Sequence, residues 1–177
     1  MKVEGTKTEQ NLRDAFALES QGRNRYTYYA SVAKKEGLEK ISSIFQGIAQ
    51  NKKEHAKLQL KLIAGIGTTP ENLRAAAESE LSECNEIYPN MALQARTDGL
   101  PEIAYLFEQL AKIKKHHYEL CQKLLTELQG GTFFTKGESV FWKCLECGHI
   151  HEGHNAPQTC PVCKHPQGYF ELYSELY

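Results

Sequence analysis

Apolar residues recur at three- and four-residue spacing up to about Gln129, as in Leu12, Phe16 and Leu18, or Ile41, Ile44, Phe45, Ile48 and Ala49. That period is the one produced by helices with one buried face. Punctuation divides the stretch into four. Thr8 is read as the cap of the first helix and Gly37 as its stop. The second runs from about Leu38 to Ala64 and ends at Gly65-Ile66-Gly67. Thr69-Pro70-Glu71 opens the third, with Thr as cap and Pro in the first turn. Asp98-Gly99 closes it, Pro101 opens the fourth, and Gly130-Gly131 ends that one.

The four helices repeat. An offset of 62 (88 − 26) carries Tyr26 to Tyr88, Ala33 to Ala95, Gly37 to Gly99, Leu38 to Leu100 and Ile41 to Ile103. It also carries Phe45 to Phe107, Ala49 to Ala111, Lys52 to Lys114, His55 to His117, Leu58 to Leu120 and Leu62 to Leu124. Two hairpins related in this way make a four-helix bundle with matched polar positions facing each other. The connection between the second and third helices is about six residues and spans about 20 Å at most. A helix of about 26 residues is about 39 Å long. The connection therefore does not run the length of a bundle, which leaves a simple up-down-up-down bundle or hairpins exchanged between two chains. The exchanged homodimer is the favoured reading.

Composition narrows the function classes. A net charge of −1 gives no electrostatic case for nucleic acid or an anionic membrane. No apolar run reaches the roughly 20 residues of a membrane span, and MKVEGTKTEQ has no apolar stretch for a signal peptide. The expected location is the cytoplasm. In that reducing compartment paired CxxC units read as metal ligands. Cys84 and Cys121, isolated in helical sequence, read as small buried hydrophobes.

Cys144, Cys147, Cys160 and Cys163 form two such units in residues 138–177, behind a linker at 132–137 and a helical domain at 1–131. A segment this short needs a metal to fold, and four thiolates suit tetrahedral iron or zinc. His149, His151, His154 and His165 are read as exposed loop residues, since four thiolates complete the site. The CxxCG and CPVC knuckles with Phe141, Trp142, Tyr169 and Phe170 resemble rubredoxin, which implies one iron. A zinc ribbon is the alternative.

The combination resembles rubrerythrin, a ferritin-like four-helix bundle followed by a rubredoxin-like domain. The resemblance covers nearly the whole chain. Its echoes are residues 17–26 (ALESQGRNRY), Glu54-His55-Ala56-Lys57, and Glu80-Leu81-Ser82-Glu83 ahead of Tyr88-Pro89. It implies a pair of irons held by a Glu of the first helix, a Glu-x-x-Glu of the third and a Glu-x-x-His of each of the second and fourth. It further implies hydrogen peroxide as substrate and an electron-donor reductase as partner. Glu19, Glu80, Glu83, His55 and His117 match that pattern, whereas Lys52 and Lys114 stand where the two bridging glutamates belong. A lysine ammonium has three donors and no lone pair, so it does not bridge cations and repels them. The expectation is a Lys–Glu cluster in place of the di-iron centre. The alternative has the lysines turned outward, with the histidines and glutamates holding one metal or a weak pair. Tyr26 and Tyr88 read equally as partners of the site carboxylates or as core. The sequence thus leaves three functional readings: a rubrerythrin-type oxidoreductase, a non-enzymatic electron carrier, or a zinc-ribbon interaction module.

Overall fold

The structure, a computed structural model, describes residues 3–174. It divides into two compact units, Met1–Thr68 and Thr69–Tyr177. The first is a helical hairpin of α1 (Lys7–Lys35) and α2 (Glu39–Leu62). The cap of α1 is Thr6 rather than Thr8, which lies inside the helix. Thr6 Oγ1 accepts the Glu9 N–H at 3.1 Å, and the Glu9 carboxylate accepts the Gly5 N–H at 2.8 Å. The two bonds satisfy donors that a helix start leaves open. At its far end α2 stops at Leu62, two residues short of expectation, because Ala64 takes a left-handed conformation with φ 54°.

The second unit begins with α3 (Thr69–Ser82), a π segment (Glu83–Ile87) and α4 (Tyr88–Thr97), continued after the turn by α5 (Pro101–Gln129). Thr69 is the first helical residue here, not the cap that precedes it. The π segment was not foreseen. It amounts to one extra residue inside a helix.

The repeat is visible in the backbone. At the two hairpin turns Gly37 and Gly99 have φ of 76° and 74°. Leu38 N–H donates to Ala33 O at 2.9 Å, and Leu100 N–H to Ala95 O at 2.8 Å. Both turns need left-handed backbone at the glycine. Small residues line the helix contacts, with Ala30, Ala33 and Ser42 buried in one hairpin and Ala92, Ala95 and Ala104 at matching positions in the other. Ser42 Oγ donates to Ala30 O at 2.8 Å, which satisfies its buried hydroxyl. Larger apolar residues remain exposed along one stripe of each hairpin: Ile41, Ile44, Leu58 and Leu62 on α2, and Ile103, Leu106, Ile113 and Leu120 on α5. His55 and His117 fall on the same stripes, three residues before Leu58 and Leu120.

A three-stranded antiparallel sheet of order β2-β1-β3 follows, built from β1 (Thr135–Cys144), β2 (Ile150–Asn155) and β3 (Phe170–Leu172). β1 begins at Thr135, within the segment read as a linker. Its small core is Trp142, Cys144, Ala156, Cys160 and Phe170, all almost fully buried. The Trp142 indole N–H donates to Gly153 O at 3.0 Å, so the one tryptophan is buried without an orphaned donor. Among the described residues no helix is long and apolar enough to cross a membrane.

Candidate metal centre and its lysine-bearing helical counterpart

Each CxxC unit folds into the same knuckle. Cys144 N–H donates to His149 O and Gly148 N–H to Cys144 O, at 2.8 and 2.9 Å. Cys160 N–H donates to His165 O and Lys164 N–H to Cys160 O, at 2.8 and 3.0 Å. The residue after the second cysteine is left-handed in both, Gly148 at φ 76° and Lys164 at φ 65°. The turns bring the four sulfur ligand atoms within 4.8 Å of one another. Cys144 Sγ lies 3.6 Å from Cys163 Sγ, and Cys147 Sγ 3.6 Å from Cys160 Sγ. A tetrahedron with metal–sulfur bonds of about 2.3 Å has edges of about 3.8 Å, so the cage fits a tetrahedral ion.

The electrostatics of the four sulfurs point the same way. Burial opposes ionisation of Cys160, yet N–H groups of Cys163 and Val162 and the thiols of Cys163 and Cys147 outweigh it and bring its pKa down to about 6. Cys163 accepts the His165 N–H, which favours its thiolate, but burial and the three neighbouring sulfurs push it up to about 12. One thiolate is welcome, and a second is opposed by the first. A bound cation removes that opposition.

The histidines depart from expectation. His151 and His154 lie in β2 rather than in a loop, and His149, His151 and His165 are half-buried. His165 Nδ1 approaches Cys163 Sγ at 3.3 Å, and its ring packs on Tyr169 with centroids 4.4 Å apart. Spacing alone gives no sign of this contact, which depends on the knuckle's left-handed exit at Lys164. Cys84 and Cys121 are half-buried rather than buried. Cys84 lies in the π segment, its Sγ 3.3 Å from Leu81 O.

The expected helical residues gather in two groups, one in each hairpin. In the first, Lys52 Nζ lies 3.2 Å from Glu19 Oε2, and His55 Nδ1 lies 3.5 Å from the same oxygen. In the second, Lys114 Nζ lies 2.9 Å from Glu83 Oε2 and 3.4 Å from Glu80 Oε2, and His117 Nδ1 lies 3.3 Å from Glu80 Oε2. The hydrogen bond from Lys114 holds the Glu83 carboxyl below its usual range, with help from Ser79 Oγ at 3.1 Å. Glu83 in turn raises the Lys114 ammonium above the usual lysine range. The lysines point at the carboxylates and not away from them. The half-buried Tyr26 ring packs on Phe45 at 5.8 Å and the half-buried Tyr88 ring on Phe107 at 6.1 Å.

Geometry exposes a slip in the repeat that residue matching alone passes over. Glu19 and Glu80 play the same part, each holding a histidine and a lysine, but their offset is 61 (80 − 19) rather than 62. The π segment begins at Glu83, between Glu80 and Tyr88, and supplies the extra residue.

A family model described as "Rubrerythrin" matches residues 10–71 and 71–143, and one described as "Rubrerythrin, rubredoxin-like domain" matches residues 142–171. Rubrerythrin-1 of Clostridium acetobutylicum is 42% identical over 192 residues, covering 99% of this chain and 98% of that protein. The rubrerythrin of Porphyromonas gingivalis is 43% identical over 182 residues, covering 96% and 91%. Among solved structures, partially reduced nigerythrin is 24% identical, with a TM-score of 0.37 over 97% of this chain and 89% of that one.

Proposed function

This chain belongs to the rubrerythrin family of non-haem iron proteins, and we propose that it carries electrons through one iron held by Cys144, Cys147, Cys160 and Cys163. Tetrahedral thiolate iron supplies one-electron exchange with little change of geometry. The chain's own residues do the rest. Trp142, Phe170 and Ala156 keep water from the inner side, where Cys144 and Cys160 are fully buried. Backbone N–H groups of Val162, Cys163, His149 and His165 hold negative charge on the sulfurs. Cys147 is exposed beside Leu145 and Val162, so a donor reductase can approach that edge.

The helical donor set does not fit a carboxylate-bridged pair of metals. Glu19, Glu80 and Glu83 are already engaged by the ammonium groups of Lys52 and Lys114. The first half balances one carboxylate with one ammonium and the second balances two with one, which leaves a net charge near −1 with neutral histidines. We assign the ammonium groups the place that iron holds in relatives bearing both glutamates. The hydrogen peroxide reduction implied by the resemblance is then absent or strongly reduced, and the helices serve docking and dimerisation.

The observation that carries the electron-carrier reading is the sulfur cage with 3.6 Å edges. The test is metal content with an absorption spectrum of the oxidised protein. We expect about one iron per chain and a red thiolate spectrum. Colourless protein with one zinc would instead favour the interaction module, and about three irons would overturn the account of the lysines.

A homodimer with exchanged hairpins is also proposed. It is supported by the exposed apolar stripes of α2 and α5 and by the short connection from Leu62 to Thr69. Light scattering is expected to give twice 20.1 kDa. A monomer at micromolar concentration would sink the exchange.

A further inference from the structure

The two lysines are held differently, and the difference sits at one position of α1. Glu83 gives Lys114 its shorter contact, and the offset of 61 that relates Glu80 to Glu19 relates Glu83 to Gly22 (83 − 61). Gly22 is buried in the interior of α1, where glycine is disfavoured relative to alanine. Its backbone is not in the left-handed region, so no conformational requirement explains it. The contact does. A Cβ at position 22 would lie 2.8 Å from Lys52 Cδ, 3.0 Å from Cε and 3.3 Å from Nζ. The end of the Lys52 side chain therefore lies directly over Gly22, with Glu19 3.2 Å from the ammonium and the Tyr26 ring centroid 6.0 Å from it.

We propose that Gly22 is a positioning residue: its missing side chain seats Lys52 across α1 and keeps the ammonium on Glu19. Glu83 does the corresponding work for Lys114 by direct pairing. The significance of the seat rests on the reading that the ammonium groups stand in for metal. The atoms in the way of a Cβ are the mobile end of a lysine rather than backbone. An alanine at 22 thus moves Lys52 off Glu19 and leaves the helix in place.

The test is a double-mutant cycle of Gly22→Ala and Lys52→Ala in the full-length, iron-bearing protein, read as the thermal midpoint of the helical signal. With Lys52→Ala the seat is empty, and Gly22→Ala becomes an ordinary helix substitution that raises the midpoint by about 2–4 °C. In the parent, Gly22→Ala gives no rise or a fall. An equal rise in both backgrounds overturns the seat, and so does a Gly22→Ala chain that fails to fold even with Lys52→Ala. Reductive methylation followed by peptide mass spectrometry supplies a readout that helix propensity does not move. The Lys52 amine should react roughly fivefold faster in Gly22→Ala, while Lys114 keeps its rate. An unchanged Lys52 rate also overturns the proposal. Iron per chain in the parent tests the underlying reading separately: about three irons would remove the metal-substitute role, whereas absent coupling removes only the seat.

Discussion

Changing Lys52 and Lys114 together to glutamate is expected to add roughly two irons per chain to the one in the cysteine site and to confer peroxide reduction. Glu19, Glu80, Glu83, His55 and His117 already lie on the appropriate helices, so the two substitutions complete the family's ligand pattern. The charge argument explains why both are needed. With the lysines present, the group in the first hairpin pairs one carboxylate with one ammonium and the group in the second pairs two with one. With both glutamates the groups hold two and three carboxylates and no ammonium, the donor set that the family resemblance implies for two ferrous ions. A single substitution leaves one ammonium at ligand distance from a carboxylate, and that fixed cation repels the incoming metal. Metal-free, the double variant has lost three Lys–Glu contacts and gained like charges, so its midpoint should fall by about 4–8 °C for a loss of about 2 kcal/mol. Ferrous iron should restore it, because a ligand that binds only the folded state stabilises that state. Metal analysis and a melt with and without iron check both halves. A folded double variant that takes up no additional iron would show that the lysines are not what keeps metal out.

The turns of the helical region were legible because glycine marks them for a reason of backbone geometry. Gly37 and Gly99 hold the left-handed positions that end α1 and α4, and the repeat around them survives in bond lengths and ring contacts. The π segment was not legible. Whether an N–H reaches back four residues or five leaves no mark in residue type, and Glu83–Ile87 reads as ordinary helix. Its trace was the one-residue slip between Glu19/Glu80 and Tyr26/Tyr88, which becomes meaningful once the carboxylate contacts show which residues correspond. The choice of Thr6 over Thr8 as cap was open for a similar reason. Both threonines stand ahead of the first apolar residue of α1, Leu12, and the Glu9 carboxylate on the Gly5 N–H favours the earlier one.

The lysines were readable as chemistry but not as geometry. That an ammonium does not bridge metals follows from its lone pairs alone. That Lys52 lies inward, rather than outward to water, depends on Gly22 giving it room across the hairpin. Motif matching passes over a glycine at a position where its repeat partner is an acid. At the cysteine site, spacing pointed to the four cysteines whose sulfurs the fold brings within 4.8 Å of one another. It did not foretell that the inner pair is sealed under Trp142 and Phe170 while Cys147 is open, since that asymmetry comes from how β1 and β3 cover one side.

That asymmetry makes the cysteines unequal under substitution. Cys160→Ser is expected to abolish iron binding and melt the module, while the helical signal persists. Two of the five residues in the module's core are cysteines, so on the proposed reading the core depends on a metal held between them. Structural metal contributes about 10–16 kcal/mol to small four-ligand modules, far more than five core residues supply without it. A serine hydroxyl does not ionise as a thiol does, and at 160 it also places a polar group in a dry site. Trypsin should then cut at Lys136 and Lys143, which the folded module holds through the Lys136–Glu127 contact at 3.0 Å and through pairing of Lys143 with β2 and β3. Cys147→Ser, at the exposed edge, leaves the core intact and admits water as a replacement ligand, so it should retain a measurable share of iron with a shifted spectrum. Iron per chain, visible absorption and limited proteolysis distinguish the two variants. If Cys160→Ser keeps full red colour, the four sulfurs are not the iron ligands. If Cys147→Ser loses as much iron and structure as Cys160→Ser, the buried face is not what holds the module together.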